Sequence, residues 1–317
     1  MPVKNRSAVE KNEPEVLRTG RDILLDVRNF SLWMRGEKGE VQILNRLNFQ
    51  LCRGDYLGIA GESGAGKSMT VHALTGLLPL GNVRMEGSIE FYDEQGNGTD
   101  VLQLSGRERQ RFCSAKTSLI LQDSMNALNP YETIGHQWAR VIRLQQEQGK
   151  YIKKRNKSRR CDPDSEIMHY MMDRLTLFGL GGQEEILEKY PHQISGGMKQ
   201  RAAIAMALES RAELLIADEP TTALDAVNQR RTVEFIRELC DKNSLTLLYV
   251  SHNPGILKEL CSHIMVMKEG TIVETGKTEA VFGNPQHPYT AQLIRQTKEL
   301  GRTLAGAPDG RRTPARR

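Results

Sequence analysis

Residues 61–68 read Gly61-Glu62-Ser63-Gly64-Ala65-Gly66-Lys67-Ser68, which fits the pattern G-x-x-x-x-G-K-[ST]. Glycines let a backbone wrap a polyphosphate and aim its N–H groups inward. A helix starting at Lys67 adds the positive end of its dipole. In such a loop Lys67 reaches the β- and γ-phosphates and Ser68 ligates Mg2+, while Gly61, Ser63, Gly64 and Gly66 shape the cradle. From average composition, the fixed positions recur by chance in roughly one chain of this length per hundred. The flanks lower that further. Tyr56 to Ala60 is a short apolar strand, and Lys67 to about Leu78 has a helical pattern.

Upstream, Ile23-Leu24-Leu25-Asp26-Val27, Val41-Gln42-Ile43-Leu44 and Leu47-Asn48-Phe49-Gln50-Leu51 alternate apolar with polar residues. They are expected to form short antiparallel strands, with Arg53-Gly54-Asp55 as the turn before the next strand. Downstream, Ser118–Leu121, Glu213–Ala217 and Leu245–Val250 read as buried strands separated by helical patterns. That order implies an α/β fold with a mainly parallel sheet covered on both faces. Between about Ser124 and Gln193 the period is mostly helical, interrupted by a basic stretch at Lys150–Arg160. A helical subdomain inserted into the α/β core is expected there. The expected division is a loose arm over residues 1–22, a main domain over 23–282 with the helical part at about 124–193, and an extension over 283–317. The end of that extension, Gly301–Arg317, is rich in Gly, Pro and Arg and is expected to be disordered.

A phosphate loop needs an acid for its metal. Leu214-Leu215-Ile216-Ala217-Asp218-Glu219 is an apolar strand ending in two carboxylates. Asp218 is the candidate Mg2+ ligand, and Glu219 the candidate base that polarises the attacking water.

Between those elements lies Ile194-Ser195-Gly196-Gly197-Met198-Lys199-Gln200-Arg201, opening a helix. This octet closely resembles the signature motif of ABC-type ATPases, and further motifs occur in the family order. Gln122 ends a strand as in the Q-loop. Ala223-Leu224-Asp225 resembles the D-loop. Tyr249-Val250-Ser251-His252 resembles the H-loop, with His252 as the switch histidine. The resemblance covers about Ile23 to Ala280. It implies a P-loop NTPase with a RecA-like core, an antiparallel β subdomain and an inserted helical subdomain. It also implies ATP and Mg2+ as cofactors, with Lys67, Ser68, Gln122 and Asp218 of one subunit completed by Ser195 and Gly197 of another and by the D-loop Asp225. An aromatic residue that stacks on adenine precedes the phosphate loop in this family, and Trp33 is the candidate.

The likeness narrows further. Leu121 to Pro130, Tyr190-Pro191-His192-Gln193 and Asn284-Pro285-Gln286-His287-Pro288-Tyr289-Thr290 look like the ATP-binding subunits of prokaryotic oligopeptide, dipeptide and nickel importers. The fifth signature residue, usually Gln, is Met198 here, a residue this branch also uses. No cysteine follows Cys261, whereas larger peptide-importer subunits often carry cysteines in their extension, which shifts weight toward nickel-type subunits. The resemblance implies uptake of peptides or metal chelates through two membrane-spanning permease subunits. It implies a second ATP-binding subunit, an extracytoplasmic substrate-binding protein, and a peripheral place on the cytoplasmic face of the membrane. The segment Asp123–Gly135 is where the family docks a permease helix. A soluble ABC ATPase acting on nucleic acid or ribosomes is the alternative. Such proteins typically carry two cassettes or a long coiled coil, and this sequence has one phosphate loop and one signature.

Composition sets the outer limits. The chain has 317 residues, enough to bury a core without disulfides or metals. Its five cysteines are widely spaced and never form C-x-x-C, so neither a disulfide framework nor a zinc site is expected. No stretch approaches the roughly 18 apolar residues of a membrane span, and the polar start has no secretory h-region. Mean hydropathy is −0.49. The net charge of +5 is local: Arg140–Arg160 holds nine basic residues against one acid, and Lys298–Arg317 six against two. The remainder is net acidic, so nucleic acid is not an expected partner. The basic segments are expected to be solvated, with contact to an anionic membrane surface as the sharper reading.

Overall fold

The structure is a computed structural model that describes residues 22–36, 39–78, 82–122, 127–147, 163–209, 212–221 and 225–305. The N-terminal arm, the basic loop at 150–160, Asp123 to Asn126, Ala223-Leu224 and the last twelve residues lie outside the described residues.

Two sheets carry the fold. The first is antiparallel, formed by β1 (Ile23–Gly36), β2 (Gly39–Cys52), β4 (Val83–Tyr92) and β5 (Gly98–Asp100) in the order β2-β1-β4-β5. Here the structure corrects the expectation of several short strands, because β1 and β2 are each 14 residues long. Asn29 and Arg46 adopt positive φ, and the β1–β2 register shifts between Val27 and Phe30. Such bulges bend a strand without ending it. The apolar alternation breaks there while the hydrogen-bonded ladder continues. Arg53 and Gly54 form the expected turn.

The second sheet has six strands in the order β10-β9-β3-β8-β7-β6. These are β3 (Tyr56–Ala60), β6 (Thr117–Ile120), β7 (Leu214–Asp218), β8 (Thr246–Ser251), β9 (His263–Lys268) and β10 (Thr271–Lys277). All neighbours are parallel except the edge strand β10. Every residue of β7 and β8 is buried, as befits strands covered on both faces. Their side chains alternate between two cores. Leu215, Ala217, Leu247 and Tyr249 enter one apolar cluster, and Leu214, Ile216, Leu248 and Val250 enter the other. Successive side chains of a strand point to opposite faces, so one short apolar run serves both.

The first cluster reaches into the helical region. Ile134, Trp138 and Ile142 of α3 (Ile134–Glu147) meet Ile167, Met171 and Leu175 of α4 (Pro163–Leu177), each set at four-residue spacing on one helix face. The wholly buried Glu209 accepts hydrogen bonds from Trp138 Nε1, Tyr170 Oη and Arg174 Nε. These join α3 and α4 to the end of α5 (Gly196–Leu208). The second cluster lies between the two sheets and takes in Val71 and Leu74 of α1 (Lys67–Thr75).

Two further helices complete the core: α2 (Gly106–Lys116), which opens on a Ser105–Glu108 capping box, and α6 (Ala226–Asn243). The C-terminal part folds as α7 (Pro254–Leu260), α8 (Thr278–Gly283) and α9 (Pro288–Ala305). The start of the expected disordered tail is therefore helical: α9 runs through Gly301 to Ala305. Tyr289, Leu293 and Ile294 anchor that helix in the first cluster. Cys113, Cys240 and Cys261 are buried free thiols, Cys52 is buried as well, and Cys161 lies outside the described residues.

Candidate nucleotide-binding site

The strands β3, β8 and β7 end side by side, and the residues just beyond their carboxyl ends form the site. Ligands of open α/β sheets bind in the crevice at that edge. After β3 comes the glycine loop. Gly61 has φ +154, and a Cβ there would stand 2.4 Å from the carbonyl oxygen of Met267. Gly66 has φ +101, and its Cβ would meet Leu44 Cδ2 at 2.7 Å. These two glycines let the loop pass between β2 and β9. The Ala65 N–H donates to Glu62 O, and the Gly270 N–H to Ala65 O. Ser63 and Gly64 stand exposed at the rim.

Lys67 opens α1 and is 5% exposed. Its Nζ donates to Gly61 O and Glu62 O, both at 2.9 Å, and lies 3.6 Å from Glu219 Oε1. A buried ammonium needs such partners.

Asp218 ends β7 and is also 5% exposed. Burial pushes its carboxyl above the usual carboxylate range, the Ser68 hydroxyl hydrogen-bonded to it pulls down, and the Glu219 charge pushes up again. Its Oδ1 is buried without a hydrogen-bond partner. An orphaned anionic oxygen beside a serine hydroxyl is the donor set a hard, oxygen-seeking cation takes, so these residues fit Mg2+.

The raised carboxyl has a stability consequence. The ionised form is less favourable in the folded than in the unfolded chain, a penalty present above the folded pKa and lost as pH falls through it. Asp218→Asn should therefore raise the Tm of the nucleotide-free, cation-free protein at neutral pH. The gap should close as pH falls into the range just above ordinary carboxylates. Thermal melts of both proteins across pH check this, and a lower Tm for the variant at neutral pH would contradict it.

Glu219 comes next in a left-handed conformation, φ +47, a cost L-residues bear only where the surroundings impose it. Its N–H donates to Val250 O at 3.0 Å, tying it to β8. The turn aims its carboxylate back across the strand ends. There Oε2 lies 3.0 Å from His252 Nδ1, one residue beyond β8, while Oε1 faces Lys67. Lys67, Asp218, Glu219 and His252 thus come from three separate strand ends to one place.

The other candidates are placed as follows. Gln122 is exposed two residues beyond β6, whose last residue is Ile120 rather than Leu121. Ser195 caps α5, its hydroxyl accepting from the Met198 N–H at 3.3 Å. Ser195, Gly196 and Gly197 line a different cleft of about 660 Å3 with Gln200, Asn228 and Arg231. Gly197 is exposed, with open space where a Cβ would stand. Asp225 is the N-cap of α6, accepting from the N–H groups of Val227 and Asn228. Trp33 is half-buried in β1 with the Arg84 guanidinium 3.8 Å over its ring, so one face is already covered. One contact of the loop has no counterpart among the sequence expectations: the Glu62 N–H donates to the Tyr289 hydroxyl at 3.0 Å. The only sequence signal for it is the distinctive segment Asn284–Thr290.

The family described as ABC transporter matches residues 44–222 of the chain. Over 294 residues the chain is 35% identical to the dipeptide transport ATP-binding protein DppD of Escherichia coli, covering 91% of this chain and 84% of that one. The chain belongs to the ABC transporter family. It is an ATP-binding protein and an ATPase of that family. It is also 36% identical over 279 residues to the oligopeptide transport ATP-binding protein OppD of Salmonella typhimurium, covering 88% and 77% of the two chains. Its fold matches that of the ATP-binding cassette MJ0796, solved as a dimer in a post-hydrolysis state bound to ADP and Pi. That match has a TM-score of 0.63 at 21% identity and covers 80% of this chain and 99% of that one. Among the described residues, no helix is long and apolar enough to cross a membrane.

Proposed function

We propose that this ABC ATPase powers the import of peptides, hydrolysing ATP between its own phosphate loop and the signature motif of a second ATP-binding subunit. The observation that carries the reading is the Lys67–Glu219–His252 cluster beside the orphaned Asp218 oxygen. Lys67 exchanges the Glu219 carboxylate for the β- and γ-phosphates, because a triphosphate offers more negative charge to the same ammonium. Glu219, held by His252, is then free to take a proton from the attacking water. His252 steadies the carboxylate and contacts the γ-phosphate. Ser68, Gln122 and Asp218 would hold Mg2+, which would supply positive charge against that of the phosphates. Gly61, Ser63, Gly64 and Gly66 surround the phosphates, and Trp33 stacks on adenine with the face Arg84 leaves open.

Ser195 and Gly197 belong to the opposite half-site. They stand exposed at the N-terminus of α5 and apart from their own chain's cluster, which is what a shared site requires. Asp225 approaches from the same partner. ATP closes the pair because it contacts both halves only in the closed state. The working assembly is this chain, a second ATP-binding subunit, two permease subunits and an external binding protein, at the cytoplasmic face of the membrane. Tyr131, 88% exposed in the segment after Gln122, stands where a permease helix docks.

The peptide assignment rests on the relatives, named for dipeptide and oligopeptide transport. Those names also favour transport over a role on nucleic acid. The test is ATPase stimulation of the reconstituted complex by its binding protein. Peptide-loaded binding protein should stimulate and nickel-loaded should not. The reverse would overturn the cargo assignment, and an assembled complex without ATPase activity would overturn the whole reading.

A further inference from the structure

The segment Asn284–Thr290 has no part in the proposed ATPase cycle, yet it is built as a rigid mount. The Glu274 carboxylate on β10 accepts from the N–H groups of Gln286 at 2.8 Å and His287 at 3.0 Å. Gln286 Nε2 donates to Asn284 O. His287 Nδ1 accepts from the Tyr289 N–H at 3.2 Å, and Pro288 opens α9. A carboxylate that gathers two consecutive N–H groups fixes the path of the chain, and a proline at the first helical position fixes its φ. What this mount presents is the Tyr289 ring, 8% exposed, with the Lys268 ammonium 5.4 Å from its centroid.

The Tyr289 hydroxyl reaches one atom of the phosphate loop, the Glu62 N–H. That N–H belongs to the same peptide unit as the Gly61 carbonyl, which accepts from Lys67 Nζ. A peptide unit is planar, with its N–H and C=O pointing in opposite directions. Holding one end therefore sets the direction of the other. Oη of Tyr289, the Gly61–Glu62 peptide and Nζ of Lys67 form one continuous line.

We propose that Tyr289 is a positioning residue of the nucleotide site, which fixes the Gly61–Glu62 peptide and through it the Lys67 ammonium. The C-terminal segment is then part of the ATP site rather than an appendage to it. Without the hydroxyl, the peptide is free to rotate and ATP must order it on binding. The inference rests on the reading of Lys67 as the phosphate-binding lysine.

The experiment is titration of Mg2+-ATP into the purified full-length chain, with steady-state ATPase kinetics on the same proteins. Tyr289→Phe keeps the packed ring and removes one oxygen. It should raise the Kd and KM for ATP about two- to tenfold, the range a single net hydrogen bond supports. It should leave kcat within about twofold and lower Tm by less than about 4 °C. Glu274→Ala, which loosens the mount from behind, should raise the Kd in the same direction. The double variant should lose less than the product of the two, because both act through one contact. A Kd unchanged in Tyr289→Phe, a loss confined to kcat or Tm, or independent effects of the two substitutions would overturn the proposal. Lys67→Ala run in parallel separates the two levels. If it binds ATP as wild type does, the reading of Lys67 fails; if it does not, that reading stands whatever Tyr289→Phe shows.

Discussion

Glu219→Gln should bind ATP with close to wild-type affinity and hydrolyse it about 10²- to 10⁴-fold more slowly, the range a positioned general base supplies. The geometry makes this a clean substitution. The amide has the shape of the carboxylate, can accept from Lys67 through its oxygen and can donate to His252 Nδ1 through its nitrogen, so the contacts seen at 3.6 and 3.0 Å keep a partner at each end. The left-handed backbone of Glu219 costs a glutamine no more than a glutamate. What disappears is basicity and one negative charge. The charge matters to Asp218, whose carboxyl Glu219 helps to push up. Without it, Asp218 ionises more readily beside the metal site. Binding should therefore survive while turnover does not, and ATP-bound subunits should accumulate as closed pairs. Single-turnover kinetics and size-exclusion chromatography with ATP measure both effects. Wild-type turnover in Glu219→Gln would remove Glu219 as the base.

Lys67→Ala should reduce ATP affinity by about 100-fold and turnover to background. The estimate takes one to two charge-assisted hydrogen bonds at about 1.5–3 kcal/mol each. The loss extends beyond the phosphates. Gly61 O and Glu62 O lose a shared donor, and Glu219 loses its contact with Lys67 while keeping the one with His252 Nδ1. The contacts that place the base would thus be disturbed together with the binding site. Equilibrium binding of ATP and the steady-state rate read the two losses separately. Unchanged affinity and rate would count against the phosphate-loop reading altogether.

The phosphate loop is legible in the sequence because it states its chemistry locally: a glycine loop between an apolar strand and a helix needs no distant partner to be recognised. The Asp218-Glu219 pair takes its meaning from that loop, and His252 takes its meaning from the family resemblance of Tyr249-Val250-Ser251-His252. The apolar runs of β7 and β8 also give away a sheet covered on both faces. The length of the antiparallel strands is hidden for an equally local reason. Arg28-Asn29 and Arg46 interrupt the alternation, and nothing in the sequence shows that the ladder continues across a bulge. Asp225 looks the same in sequence whether it caps a helix or faces a nucleotide, and the structure shows the cap.

By itself, then, the sequence determined the kinds of group available and the order of the strands that deliver them, since both stem from residue type and short-range pattern. Only the tertiary structure decided which groups meet. Strand order in the sheet sets β3 beside β8 and β8 beside β7, and that adjacency puts Lys67, Glu219 and His252 within reach of one another. It also decided that Tyr289, far along the chain, closes on the Glu62 N–H. Long-range packing has no signature in a local pattern, because the energy that selects it comes from burying β9, α7 and α9 against the same core rather than from any residue in the motif.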